Sequence, residues 1–108
     1  MKIYDKIAAP NPTGLNKKTI TVAFLGDSVT QGCFEVYKKS ENEIETVYEA
    51  KLAYSVKFKE FLNLLYPDMI IHIINAGISG DNAENGLNRM DEDILEYHPD
   101  LLVVSYGL

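Results

Sequence analysis

Ile20-Thr21-Val22-Ala23-Phe24-Leu25-Gly26-Asp27-Ser28-Val29-Thr30-Gln31-Gly32 is the stretch on which the reading of this chain turns. Ile20, Val22, Ala23, Phe24 and Leu25 make a short β-rich run, apolar at neighbouring positions, as in a strand buried on both faces, and Gly26 stops it. The same kind of run recurs twice. Ile70, Ile71, His72, Ile73 and Ile74 lead into the break Asn75-Ala76-Gly77-Ile78-Ser79-Gly80, and Leu101 to Tyr106 (LLVVSY) leads into Gly107. Between the first two runs, Val47, Ala50, Tyr54, Phe58, Phe61 and Leu65 fall at three- and four-residue steps with Glu49, Lys57 and Glu60 off the stripe, which predicts an amphipathic helix ended by Pro67. Between the second and third, Asp81 is expected to cap a helix, with Glu84 completing a capping box. Ala83, Leu87, Met90, Ile94 and Tyr97 supply its buried stripe, and Pro99 stops it. The order strand, helix, strand, helix, strand predicts right-handed crossovers and an α/β fold, its parallel sheet covered by helices.

Around this core, residues 1–18, with Pro10, Pro12, Gly14 and Asn16, read as an extended arm, and 19–108 as one domain. Cys33 to Thr46 is polar apart from Phe34, Val36 and Tyr37 and reads as an insertion overhanging the turn after the first strand. That apolar patch suits either an acyl or sugar pocket or a generic packed loop. The charge run from Lys38 to Glu45 reads as solvated surface.

The chain has 108 residues, Lys+Arg 10 against Asp+Glu 16, a net charge of −6 and 46% hydrophobic residues: one globular domain, too apolar for disorder. An acidic surface without a basic cluster disfavours nucleic acid. One cysteine, Cys33, makes no internal disulfide, and two histidines away from ligand spacing build no zinc site, so neither a metal nor a cofactor is expected. No run of 18 apolar residues and no signal-peptide pattern is visible, so no membrane span is expected and the default location is cytoplasmic, or extracellular where a signal has been removed.

In a parallel α/β sheet, ligands gather at the carboxyl ends of the strands, here GDSVTQG, NAGISGDNA and SYGL. Ser28, on the first turn between two glycines, is a candidate nucleophile; with Gln31 three residues on it also fits a capping box. Gly80, just before the second helix, is placed to offer its N–H to an oxyanion; like Gly77 it also fits a simple turn. Cys33 has no basic neighbour and reads as a small packed side chain. His72 in its isoleucine run reads as a packed or edge histidine and His98 as a helix C-terminal residue.

The three segments together resemble the SGNH (GDSL-type) hydrolases: GDSVTQG is similar to that family's first block, NAGISGDNA to its second, and SYGL to the start of a third in which Gly-x-Asn-Asp follows the third strand. The resemblance spans residues 20–108. It implies a flavodoxin-like parallel sheet with helices on both faces and hydrolysis of carboxylic esters, often acyl groups on sugars or lipids. It implies Ser28 as the nucleophile, its own N–H and that of Gly80 as oxyanion donors, and Asp27 as the motif's structural acid. The family's oxyanion asparagine would be the residue after Leu108, and no Asp-x-x-His, its base-bearing block, occurs in the sequence. The chain is therefore expected to be the N-terminal part of such an enzyme and nearly inactive alone. With the first strand between the second and third, the third becomes an open edge suited to pairing with another chain or a second copy. The alternatives are a non-catalytic module whose GDSVTQG turn holds an anion through backbone N–H groups, and an interaction module that uses the open edge.

Overall fold

The computed structural model describes residues 2–8 and 18–107. In chain order the elements are α1 (Lys2–Ala8), β1 (Thr19–Gly26), α2 (Ser28–Gln31), β2 (Cys33–Ser40), β3 (Glu43–Tyr48), α3 (Tyr54–Leu65), β4 (Ile70–Gly77), α4 (Ala83–Asp93) and β5 (Leu101–Ser105). β1 lies between β4 and β5 and runs parallel to both, in the order β4-β1-β5, so the fold is the α/β arrangement expected. No helix among the described residues is long and apolar enough to cross a membrane.

Side chains alternate across a strand, which explains why β1 is apolar at neighbouring positions: it has two cores to fill. Ile20, Val22 and Phe24 face one side and Ala23 and Leu25 the other, none more than 2% exposed. On the first side Tyr54, Phe58 and Leu62 of α3 pack with Met69 and Ile71. There the Phe24 ring meets Tyr54 and Phe58 edge-on at centroid distances of 5.4 and 5.7 Å. On the second side Met90 of α4 and Ile94 at its end close over Ala23, Leu25, Ile74 and Leu102.

Several elements depart from expectation. Residues 2–8 form a helix instead of an extended arm. Ile3 and Ile7, four apart and so on one helical face, join the α3-side core, with Ile3 6% exposed. Lys6 bonds Asp100 at 2.9 Å, and Lys18 Nζ donates to the Ile7 carbonyl at 2.7 Å, satisfying an acceptor that the last helical turn leaves open. Residues 1 and 9–17 of the expected arm lie outside the described residues. The Cys33–Thr46 insertion is an antiparallel hairpin, β2–β3, in which Ser40 pairs with Glu43 and Cys33 with Tyr48. The side chains of residues 34–37 lie outside the described part. Val47 therefore belongs to β3, and α3 begins only at Tyr54. A four-residue step keeps Tyr54, Phe58 and Leu62 over the sheet, which leaves Phe61 and Leu65 of the expected stripe 66% and 70% exposed. β4 is an edge strand with Ile70 and His72 exposed, where burial of both faces is expected. On α4, Met90 and Ile94 are inward while Ala83, Leu87 and Tyr97 stand outside. Its cap is Asn82, whose Oδ1 accepts from Asn85 N at 2.9 Å; Asp81, the expected cap, is engaged elsewhere.

Candidate active site

Gly26 pairs with Gly77 on one side and with Ser105 on the other, so the carboxyl ends of all three strands finish level and their turns meet above the sheet. The first turn is α2. Asp27, buried, is its N-cap and accepts from Val29 N at 3.1 Å. Ser28 is thus the first helical residue and not the cap. Gln31, the other half of the capping box that its sequence position allows, sends Oε1 to Ser79 N at 2.7 Å. Among the described residues no group takes up the half-buried Ser28 hydroxyl.

α2 is short, and its placement comes from tertiary bonds. Thr30, wholly buried, shares a hydrogen bond of 2.8 Å with Tyr54 OH from α3, and its carbonyl accepts from Asn75 Nδ2 at 2.9 Å. The other end of the Asn75 amide accepts from Gly77 N at 3.0 Å. Only glycine fits at 77, since a Cβ there would overlap the backbone of Thr30 and Gln31.

The second turn begins where Ile78 N donates to Gly26 O at 3.1 Å, and it closes where Asp81 N donates to Ile78 O at 3.1 Å. Gly80 occupies the third position with φ +78°, solvent-exposed, with nothing within 4 Å of where a Cβ would stand. The Gln31–Ser79 bond ties the turn bearing Gly80 to the helix that starts at Ser28. The Tyr48 hydroxyl, at the base of the hairpin, donates to Ser79 Oγ. The third turn, Ser105-Tyr106-Gly107, lines with Asp27 and Val29 a shallow cleft of about 250 Å³.

Beneath these turns lies a polar cluster that sequence reasoning missed. Arg89, the only arginine in the chain, donates from Nε and Nη2 to Asp81 Oδ2 at 3.1 and 2.6 Å and from Nη1 to Asp93 Oδ2 at 3.0 Å. Tyr106 OH donates to the same Asp81 oxygen at 2.8 Å, and Arg89 Nη2 also reaches Gly26 O at 3.4 Å. The Asp81 and Arg89 side chains are 5% and 17% exposed. The Arg89 hydrogen bond holds the Asp81 carboxyl below the ordinary aspartate value against the opposing effect of burial, while burial and the Asp81 bond push the Tyr106 phenol up. A signal was available in part: a lone arginine on the half-buried flank of a helix needs carboxylate partners.

The two imidazoles stand elsewhere. His72 pairs in register with Thr21, well before the strand ends, and His98 precedes β5 at the opposite end of the sheet. No group of three His, Cys, Asp or Glu side chains among the described residues is placed to hold a metal ion.

A family model described as GDSL-like Lipase/Acylhydrolase matches residues 22–108. The chain belongs to that family. It is 29% identical over 85 residues to an acetylxylan esterase of Geobacillus stearothermophilus, covering 79% of this chain and 37% of that protein. Among solved structures it is similar to a two-domain esterase active on acetylated mannans, with a TM-score of 0.72 and 26% identity over 99% of this chain and 24% of the other. It is also similar to a variant of an acetyl xylan esterase from G. stearothermophilus, with a TM-score of 0.59 and 25% identity over 82% and 39% of the two chains. The GDSL-family chain thus spans well under half the length of each of these relatives.

Proposed function

We propose that Ser28 is the nucleophile of a carboxylic ester hydrolase that removes short acyl groups, acetyl above all, from acylated carbohydrate. The observation that carries this is the Ser28 hydroxyl itself: half-buried at the rim where three strand-end turns meet, it is not used as a cap, and Gly80 lies on the turn bonded to its helix. A cleft of about 250 Å³ beside Asp27 suits a short acyl group better than a lipid tail. The acetylated polysaccharides named for the relatives favour the same substrate class.

In this reading Ser28 Oγ adds to the acyl carbonyl carbon as a base takes its proton. The carbonyl oxygen becomes an oxyanion facing the N–H groups of Ser28 and Gly80. The C–O bond to the sugar breaks, the sugar oxygen takes the proton, and the acyl group remains on Ser28 until water adds to it and restores the hydroxyl. His72 and His98 both stand away from Ser28, so neither imidazole is placed to act as this base. The 108-residue chain by itself is expected to turn over esters about 10⁶-fold more slowly than a complete serine triad.

In the complete protein Ser28→Ala is expected to abolish release of acetate from acetylated xylo- or manno-oligosaccharides, and a fluorophosphonate is expected to label wild type at Ser28 only. Turnover surviving in Ser28→Ala, or a wild type that is never labelled, removes the assignment. An anion held through backbone N–H groups of the same turn, with Ser28 unmodified, would place the turn in a binding role instead.

A further inference from the structure

Among the described residues, Gly80 is held in place through the other residues of its turn. Nothing packs on its outer side, and its positive φ sets a sharp reversal there. On one side Ser79 N donates to Gln31 Oε1 of the helix that Ser28 begins. On the other side stands Asp81, whose carboxylate oxygen Oδ2 receives three donors, Nε and Nη2 of Arg89 and the hydroxyl of Tyr106. Resting on the nucleophile reading above, we propose that Asp81, fixed by Arg89 and Tyr106, is a positioning residue that sets the direction of the Gly80 N–H toward the oxyanion.

Three observations carry this. The cluster joins all three turns of the crevice: Asp81 is adjacent to Gly80, Tyr106 lines the cleft beside Asp27, and Arg89 reaches Gly26 O at the root of the nucleophile turn. Its chemistry also suits orientation better than adhesion. A buried ion pair contributes little net stability compared with apolar residues, whereas three donors from two separate elements converging on Oδ2 fix where that oxygen lies. Finally, the cap of α4 is Asn82, so Asp81 is not needed to begin that helix.

The test compares wild type with Asp81→Asn, Arg89→Lys and Tyr106→Phe in the complete protein, each assayed well below its own unfolding temperature. Readouts are kcat and KM for an acetyl ester and the rate at which a fluorophosphonate, whose tetrahedral adduct also places an oxygen against the oxyanion donors, modifies Ser28. Asp81→Asn is expected to lower kcat and the modification rate together by about 10²-fold with KM little changed, since a small misplacement of a group acting on the transition state costs that much. Arg89→Lys keeps the charge but not the fork and is expected to fall in the same direction. Tyr106→Phe leaves the Arg89–Asp81 bonds intact and is expected to fall least, and it keeps the test decisive if the other two variants fail to fold. Folded variants with wild-type kcat, or with losses confined to KM or to thermal stability, overturn the proposal while leaving Ser28 in place. A wild type that is never labelled at Ser28 removes the nucleophile reading, and this inference with it.

Discussion

The two faces of the sheet are built from different materials. The face under α3 is aromatic and aliphatic: Phe24 is gripped by Tyr54 and Phe58, with Ile20, Val22, Ile71, Met69 and Ile3 around them. The face under α4 has a smaller apolar cluster, Ala23, Leu25 and Ile94, and beside it the Arg89–Asp81–Tyr106 group. Non-directional burial holds the first together and directional bonds order the second. The difference teaches what each face adds to the crevice: the α3 side supplies cohesion and, through Tyr54, the bond that seats Thr30, while the α4 side orders the turns that carry Asp81 and Tyr106.

Breaking the aromatic face is expected to have the largest effect on stability. Phe24→Ala removes a fully buried ring with two edge-on partners and is expected to cost about 3–5 kcal/mol, measured by urea unfolding. Tyr54→Phe is gentler and sharpens the comparison. It keeps the ring in the core and removes one hydrogen bond to buried Thr30, for about 1–2 kcal/mol in the same measurement.

The polar face is expected to reveal itself through acid. Asp81 is lowered chiefly by its Arg89 bond. Asp100 is raised by burial but lowered further by Lys6 and the Thr21 N–H, with a net fall. A carboxyl whose folded value is depressed stabilises fully above the unfolded value, about 3.9, and loses that contribution as pH falls through the folded value. Unfolding temperature is therefore expected to drop below about pH 4, and Asp81→Asn to flatten that part of the curve. The smallest effect is expected from Lys6→Ala: the Lys6–Asp100 pair is 46% exposed at the lysine, and its loss should cost about 1 kcal/mol or less in urea unfolding.

What was legible in the sequence follows the same division. β1, β4 and β5, their parallel order and the breaks after them could be read because continuous apolar runs between glycine-rich turns have few other uses, and the positions of Ser28 and Gly80 came with those breaks. The hairpin was not legible, since Lys38 to Glu45 lacks the alternation that marks a strand with one buried face, and its pairing is a matter of backbone bonds. α1 was hidden because the prolines and glycine at 10–14 dominate the local pattern, while Ile3 and Ile7 become informative only with a core to enter. At the start of α4, Asp81 and Asn82 are equally good caps by residue type. The choice is made by Arg89 and Tyr106, partners remote in sequence that local rules do not see. The remainder of the crevice was missed for the same reason.

The uncovered end of α3, with Phe61, Leu64, Leu65 and neighbouring Tyr66 in solvent, has a practical consequence for whoever measures these quantities. Environment-sensitive dyes that brighten on oily surfaces will find a landing place on the folded molecule before any heating, so a dye-monitored melt should start from a high fluorescent baseline and give a shallow trace. Far-ultraviolet circular dichroism reports on the backbone directly and is the appropriate monitor for this chain.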